Sequence, residues 1–275
     1  MEDELYKELQ RNNESVKAQL LSFMFYVHDI IRNSELEVRQ HNQGNTNYTR
    51  LLDRLQQHDV DEKMGISLVT FNYDTLLDTA CSQLYPTWEF NDFDDYIKGI
   101  SSVRLYKPHG SLSWKKTHTN SPNIPYRLSS IKGLLNPTAY GIFDHNEQID
   151  HYYFEHVEHI TRGDTITEPI LALPYREKTS FAFPRNHIDA LTRDMAKATH
   201  ILTIGWRGEE NHFQKEFLVN VLKGVKILNI NKGGQNITVN MQRALGDKIS
   251  SMQSFTDGFT AFLDNKILLE GFLKS

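Results

Sequence analysis

The chain has 275 residues and a mass of 32.0 kDa, which is enough to bury one large α/β core. Its net charge of −5 and its pI near 6.2 show no basic bias, so no direct nucleic-acid binding is expected. A single cysteine, Cys81, excludes an intrachain disulfide framework and a four-cysteine zinc module, and it predicts a reducing, cytoplasmic location.

The amino-terminal residues repeat apolar positions at helical spacing through residues 2–33, which predicts one or two helices. The polar stretch 34–47 predicts a loop, and a second short helix is predicted over 48–57. The most apolar early stretch, 20–31, is short and includes charged or polar residues, so no membrane span is expected. We predict a helical segment over 1–60 and an α/β domain over 61–275.

The stretch ISLVTFNYDTLL predicts a buried strand over Ile66–Phe71 that leads into a helix. Asn72 and Asp74 then lie at the carboxyl end of that strand. In open α/β sheets this end faces the ligand crevice, so the two polar residues are candidates for chemistry. The alternative is that Asn72 or Asp74 only caps the helix that follows.

A second polar tip follows the strand predicted over Ser102–Lys107, which ends at Pro108 and is followed by His109, Gly110 and Ser111. Glycine lets the backbone approach a ligand closely, and imidazole is the side chain best suited to proton transfer near neutral pH. The alternative is a histidine held by a backbone carbonyl in a turn.

Two sequence features suggest metal binding. The acidic run Asn91–Asp95 has calcium-like spacing but lacks the glycine and the glutamate of an EF-hand loop, so a solvated loop is favoured. His156 and His159 would share one face of a helix, but a polar aromatic helix explains the same pattern. These histidines belong to the range 115–168, which is predicted to be an irregular excursion from the sheet. No metal is expected.

Further strands are predicted at 168–173, 200–204 and 225–230, and further helices at 185–198, 209–222, 235–245 and 255–273. Strands that alternate with helices predict a Rossmann-like doubly wound parallel sheet with helices on both faces. Parallel strands point their carboxyl ends the same way, so their polar tips should converge on one edge. These tips are TFNYD, KPHGS, LPYREK, GWRGEE and NINK.

The order of the tips Thr70-Phe-Asn72-Tyr-Asp74, His109-Gly110, Gly205-Trp206-Arg207 and Ile230-Asn231 resembles the sirtuin-like NAD-binding family. The similarity covers roughly residues 65–235. It is closest to the bacterial sirtuin-like NAD hydrolases of antiphage defence, which have TFNYD-like and KLHGS-like tips and lack the zinc module of protein deacylases.

One departure concerns the glycine-rich GAGxS-type loop with which the family normally begins and which holds the pyrophosphate. The first 64 residues contain no such loop, and their only glycine is Gly44. Three explanations are open. The chain is part of a longer protein, or the first strand is lost and NAD binding with it, or a partner chain supplies the loop.

The resemblance implies hydrolysis of NAD to nicotinamide and ADP-ribose, with Asn72 and His109 as the catalytic pair. NAD is then the substrate, and a homo-oligomer or a partner protein chain is expected. The alternative is a catalytically silent module that binds NAD or ADP-ribose, or a scaffold. The residues implied to bind NAD are Thr70, Asp74, Gly205, Trp206 and Asn231, with Lys178 and Arg207 as phosphate candidates.

Overall fold

The computed structural model describes residues 14–58, 65–100, 102–119, 152–154, 161–162, 165–171, 181–233 and 235–275. Its helices are α1 Glu14–Asn42, α2 Asn47–His58, α3 Leu76–Leu84, α4 Phe93–Lys98, α5 Arg185–Met195, α6 Asn211–Glu216, α7 Gln235–Leu245, α8 Phe259–Asp264 and α9 Lys266–Lys274. Its strands are β1 Ile66–Val69, β2 Val103–Tyr106, β3 Gly110–Thr119, β4 Tyr152–Phe154, β5 Thr161–Arg162, β6 Thr165–Leu171, β7 His200–Ile204, β8 Val225–Ile230 and β9 Ile249–Phe255. The chain therefore has a mixed α/β fold.

The described residues fall into two compact units. The first comprises those within 1–44, 68–100 and 104–184, and the second comprises those within 45–67, 101–103 and 185–275. Each unit has its own buried apolar residues. Those of the first include Cys81, Tyr96, Leu105, Tyr106 and Trp114, and those of the second include Leu52, Leu191, Phe217, Met241 and Phe262. The predicted division at residue 60 stays a prediction.

Helix α1 continues beyond its predicted end at residue 33, because it runs to Asn42 through residues predicted to form a loop. Glu35 and Arg39 lie one turn apart on it and pair, with Arg39 Nε donating to Glu35 Oε1 at 2.7 Å. The helix ends where Gln43 and Gly44 adopt positive φ angles of 49° and 79°. Within the described ranges, no helix is both long and apolar enough to cross a bilayer.

Strands β1 and β2 form a parallel pair, as predicted. Ile66 N donates to Ser102 O and Thr70 N donates to Tyr106 O, each at 3.0 Å, so the bonds advance in the same direction along both strands. However, β1 is only half-buried, and Ser67 is exposed. The prediction of a buried strand is therefore wrong, and the exposed Ser67 uses its hydroxyl to bond Asp194 Oδ2 at 2.7 Å.

Strands β7, β8 and β9 form a parallel sheet in that order. Helix α6 lies between β7 and β8 in the chain, and α7 lies between β8 and β9, which gives a βαβαβ arrangement. The bounds predicted for β7, β8 and α7 are confirmed. Strand β9 is not predicted by the sequence pattern, because its polar residues at 250, 251, 253 and 254 are exposed and leave no apolar run.

The strand predicted at 168–173 is present as β6, but it does not join a parallel sheet. It pairs antiparallel with β3, in a sheet of order β4-β3-β6-β5. Gly110, the first residue of β3, has a positive φ of 89° and lies opposite Leu171 of β6. The expectation that all five predicted strands are parallel is therefore wrong at this strand.

Candidate active site

The first polar tip follows β1 and is ordered by its own side chains. Thr70 Oγ1 accepts from Asn72 N at 3.2 Å, and Asp74 Oδ1 accepts from Leu76 N at 3.1 Å. Asp74 thus caps the first residue of α3, which is the structural alternative to a role in chemistry. Asn72 is exposed at the carboxyl end of β1, so its side chain is accessible to a ligand.

The second polar tip follows β2 and places His109 against the first. The His109 ring centroid lies 4.9 Å from that of Phe71 and 6.3 Å from that of Tyr73, and His109 is only 8% exposed. Gly110 N donates to Lys107 O at 3.0 Å, and Ala182 N donates to Pro108 O at 2.9 Å. The structure therefore brings the two predicted tips of the first unit together.

Two hydrogen bonds join the segments that carry these tips. Leu112 N donates to Tyr73 O at 2.8 Å, and Lys107 Nζ donates to Asp74 O at 2.6 Å. Lys107 is fully buried and also pairs with Asp78 Oδ2 at 2.8 Å. The turn that holds Asn72 is thus held against the segment that holds His109.

The buried pair has a third member that sequence analysis missed. Tyr96 is fully buried, and its hydroxyl donates to Asp78 Oδ1 at 2.7 Å. The signal in the sequence is the spacing of Asp74 and Asp78, which puts two carboxylates one helical turn apart beside a lysine at a strand end. Helical spacing alone does not show that Asp78 faces inward.

Helix α1 contacts both tips. Glu35 accepts from Thr75 N at 2.7 Å and from Thr75 Oγ1 at 2.6 Å, and so satisfies a backbone donor at the start of α3. Arg39 Nη2 donates to Thr75 Oγ1 at 2.9 Å. On the other side, His28 Nε2 lies 3.2 Å from Leu112 O. The helix therefore supports the turn after β1 and the start of β3.

Burial and hydrogen bonds set the ionisation of the groups beside the tips. Burial raises the pKa of Asp74, and the Lys107 charge and the Leu76 N–H oppose that rise. Burial also acts to raise the pKa of Glu35, but hydrogen bonds from Thr75 and Arg39 outweigh it, so the pKa of Glu35 is lowered. Burial raises the pKa of Tyr73 to about 12, so its phenol is protonated at neutral pH.

In the second unit, the tips after β7 and β8 are joined to each other. Gly205 N donates to Ile230 O at 2.9 Å, and Asn231 Nδ2 donates to Trp206 O at 2.9 Å. Trp206 is half-buried, and its Nε1 donates to Glu210 Oε2. Gly205 has a positive φ of 67°, and Gly208 one of 68°, which confirms the predicted glycine turn.

The predicted site residues thus form two groups. Thr70, Asn72, Asp74 and His109 lie in the first unit, and Gly205, Trp206 and Asn231 lie in the second. The convergence of all the tips on one edge stays a prediction. The tip LPYREK with Lys178, and the pair His156 and His159, lie outside the described residues.

The acidic run Asn91–Asp95 has a structural role. Asp92 Oδ1 accepts from Asp95 N at 3.1 Å, and Asp95 Oδ2 accepts from Asp92 N at 2.9 Å, which forms a capping box at the start of α4. In the part of the chain that the structure describes, no group of three or more His, Cys, Asp or Glu residues is placed to hold a metal ion.

A surface cleft in the second unit contains none of the predicted site residues. It lies between α2 and α9 and is lined by Arg54, Gln57, His58, Lys266, Leu269, Glu270 and Leu273. The candidate chemistry therefore depends on the polar tips and their hydrogen bonds, not on this cleft.

No protein-family model, no curated protein and no solved structure matches this chain. The resemblance to the sirtuin-like family therefore depends on the residues and the order of the tips, and it stays a prediction.

Proposed function

We propose that this chain is a sirtuin-like NAD hydrolase that cleaves the bond between nicotinamide and ribose. The observation that carries the proposal is the contact between the turn with Asn72 and the segment with His109. The His109 ring lies 4.9 Å from Phe71, and Leu112 N bonds Tyr73 O across the two tips. An amide and an imidazole on two segments in contact are a suitable pair for positioning water and moving a proton.

In the proposed reaction, water attacks the anomeric carbon of the nicotinamide ribose. The carbon–nitrogen bond breaks, and its electron pair neutralises the pyridinium nitrogen, so nicotinamide leaves without being protonated. Asn72 orients the water or the ribose hydroxyls, and His109 accepts the proton that the water or a ribose hydroxyl loses. The products are nicotinamide, ADP-ribose and one proton, and these steps require no metal ion.

The proposal assigns nucleotide binding to the tips after β7 and β8, in a Rossmann-like doubly wound fold. The βαβαβ order of β7, β8 and β9 supports this assignment, because such folds bind nucleotides at the carboxyl ends of parallel strands. Gly205 would bring the backbone close to the ligand, and Trp206 would provide an aromatic wall. Asn231 would bond the adenosine ribose.

The proposal also gives Thr70 and Asp74 a part in placing the nicotinamide end. The biological role we propose is antiphage defence in the bacterial cytoplasm, in a homo-oligomer or with a partner chain that supplies the glycine-rich loop. Hydrolysis of NAD by this one activity would be enough to deplete NAD in the cell.

A second candidate function is a catalytically silent module that binds NAD or ADP-ribose. It is favoured by the chain before β1, where the described residues 14–58 are two helices and their connecting turn, with no strand or glycine-rich loop. A module that only binds has no need for His109 or Asn72 in turnover. Substitution of these residues should therefore abolish turnover if the chain is a hydrolase, and it should leave ligand binding in place if the chain is a binding module.

The test is nicotinamide release from NAD by the purified chain at high protein concentration. We expect release by the parent and a loss of at least about 100-fold in both His109→Ala and Asn72→Ala, because each removes a group from the reacting centre. His41→Ala is the matched control, since His41 is exposed on α1. Circular dichroism would verify that each variant is folded.

A folded parent that releases no nicotinamide would contradict the hydrolase. Calorimetric titration with NAD and with ADP-ribose then tests the second function, which requires binding that survives both substitutions.

A further inference from the structure

We infer that Lys107 is a positioning residue that holds the turn carrying Asn72 against the segment carrying His109. The inference rests on the proposed function for its kinetic consequence, but the hydrogen bonds that carry it are independent of any substrate. Lys107 lies two residues before His109, and Asp74 lies two residues after Asn72. The bond from Lys107 Nζ to Asp74 O, at 2.6 Å, therefore joins the two segments that carry the catalytic candidates.

The placement of the Lys107 ammonium is costly. Its side chain is fully buried, and a buried charge requires a partner and hydrogen bonds to offset the loss of water. Asp78 is that partner, at 2.8 Å, and its second oxygen accepts from Tyr96. Apolar side chains in place of both Lys107 and Asp78 would fill this space without that cost, so stability alone does not account for the buried pair.

The geometric effect of the lysine is to add a second link between the tips. Glu35 holds the end of the turn by accepting from Thr75 N at 2.7 Å, and Leu112 N bonds Tyr73 O at 2.8 Å between the two tips. The bond from Lys107 holds the next residue, Asp74, and so fixes the direction of the turn. Because effective catalysis requires reacting groups placed within fractions of an ångström, loss of this bond should lower turnover.

The experiment compares two variants of the full chain. Lys107→Met combined with Asp78→Asn removes the donor to Asp74 O and both buried charges, while the amide oxygen introduced at position 78 keeps an acceptor for the Tyr96 hydroxyl. Lys107→Met alone would leave the Asp78 carboxylate uncompensated and is expected to unfold the protein. Tyr96→Phe is the matched control, because it removes a hydrogen bond from the same buried cluster and leaves the bond from Lys107 to Asp74 in place.

We expect kcat for nicotinamide release to fall about 10- to 100-fold in K107M/D78N, with KM within about twofold of the parent, because the bond orients groups without contacting substrate. The Y96F variant should keep the kcat of the parent. An equal fall in both variants would show a general loss of packing and overturn the inference, as would an unchanged kcat in K107M/D78N.

A second measurement separates this inference from the proposed function. Hydrogen exchange of the Leu112 amide reports opening of the bond to Tyr73 O, and it needs no substrate. Faster exchange in K107M/D78N than in Y96F supports the link even if the parent releases no nicotinamide, and in that case only the proposed function fails. Equal exchange in the two variants overturns the link.

Discussion

At the scale of single residues, the polar side chains of the first tip make hydrogen bonds that order the turn itself. Thr70 accepts from Asn72 N and Asp74 accepts from Leu76 N, so both are engaged in local hydrogen bonds. The Asn72 side chain is exposed. A short segment thus orders its own backbone and still displays an amide.

Replacement of Gly110 should strongly lower the stability of the fold. Its φ is 89°, and a Cβ at this position would lie 1.9 Å from Ile170 O. We expect Gly110→Ala to lower the free energy of unfolding by more than the about 1–3 kcal/mol that such a backbone conformation costs alone. Denaturant unfolding, followed by circular dichroism, measures this.

The matched control for that change is Gly44→Ala, which lies in the same unit at a φ of 79°. Its added Cβ would meet only the end of the Gln83 side chain, at 2.9 Å, which can move. A loss in Gly110→Ala no larger than that in Gly44→Ala would contradict the role given to the Ile170 carbonyl.

At the scale of elements, α1 provides an acceptor for Thr75, the residue that precedes α3. Thr75 makes no side-chain cap bond of its own, and Glu35 accepts from its amide and its hydroxyl. We expect Glu35→Gln to lower the free energy of unfolding by about 1–2 kcal/mol at pH 7, because a charged acceptor at a helix start is lost. Glu37→Gln is the control, since Glu37 is exposed on the same helix.

The pH dependence of that difference follows from the lowered pKa of Glu35. A carboxylate whose folded pKa lies below its ordinary value of 4.5 stabilises the folded state at higher pH, and this contribution is lost as pH falls through the folded pKa. The gap between the parent and Glu35→Gln should therefore be complete above about pH 5 and shrink below it. A gap that is constant from about pH 7 to about pH 3 would contradict the role of the charge.

The elements that could be predicted are those whose apolar residues recur in a clear strand or helix pattern. Strand β8 buries Val225, Ile227, Leu228 and Ile230, and its bounds agree with those predicted. Strand β9 is also parallel to its neighbour, β8, but its serines are exposed, so it has no apolar pattern by which it could be predicted. The direction of β6 was also not predictable, because it depends on pairing with β3, which is distant in the chain, and not on the residues of β6.

The candidate site shows the same division between local and distant information. The placement of Asn72 and His109 after β1 and β2 could be predicted, because a strand end is a local property of the sequence. The bond from Lys107 to Asp74 and the buried cluster of Lys107, Asp78 and Tyr96 could not, because they depend on which side chains meet after folding. Glu35 was missed for the same reason, since it is 40 residues before Thr75.

At the scale of the whole molecule, the proposed function couples ligand binding to stability. ADP-ribose is the proposed product and contains the nucleotide that the tips after β7 and β8 would bind. A ligand that binds only the folded state, at a concentration about 100 times its Kd, adds about 2.7 kcal/mol to the free energy of unfolding. We therefore expect ADP-ribose to raise the thermal midpoint of the parent, as measured by scanning calorimetry over a concentration series.

Trp206→Ala should reduce that rise, because the aromatic wall for the nucleotide is lost while Asn231 can still bond the main-chain oxygen of residue 206. Leu222→Ala is the control, since Leu222 is 64% exposed in the same unit and lies outside the tips. Each variant is compared with its own midpoint without ligand, because the loss of the Trp206 ring contact with Phe213 lowers stability by itself. An equal rise in all three proteins would place the nucleotide away from Trp206, and no rise in the parent would exclude ADP-ribose as a ligand of the free chain.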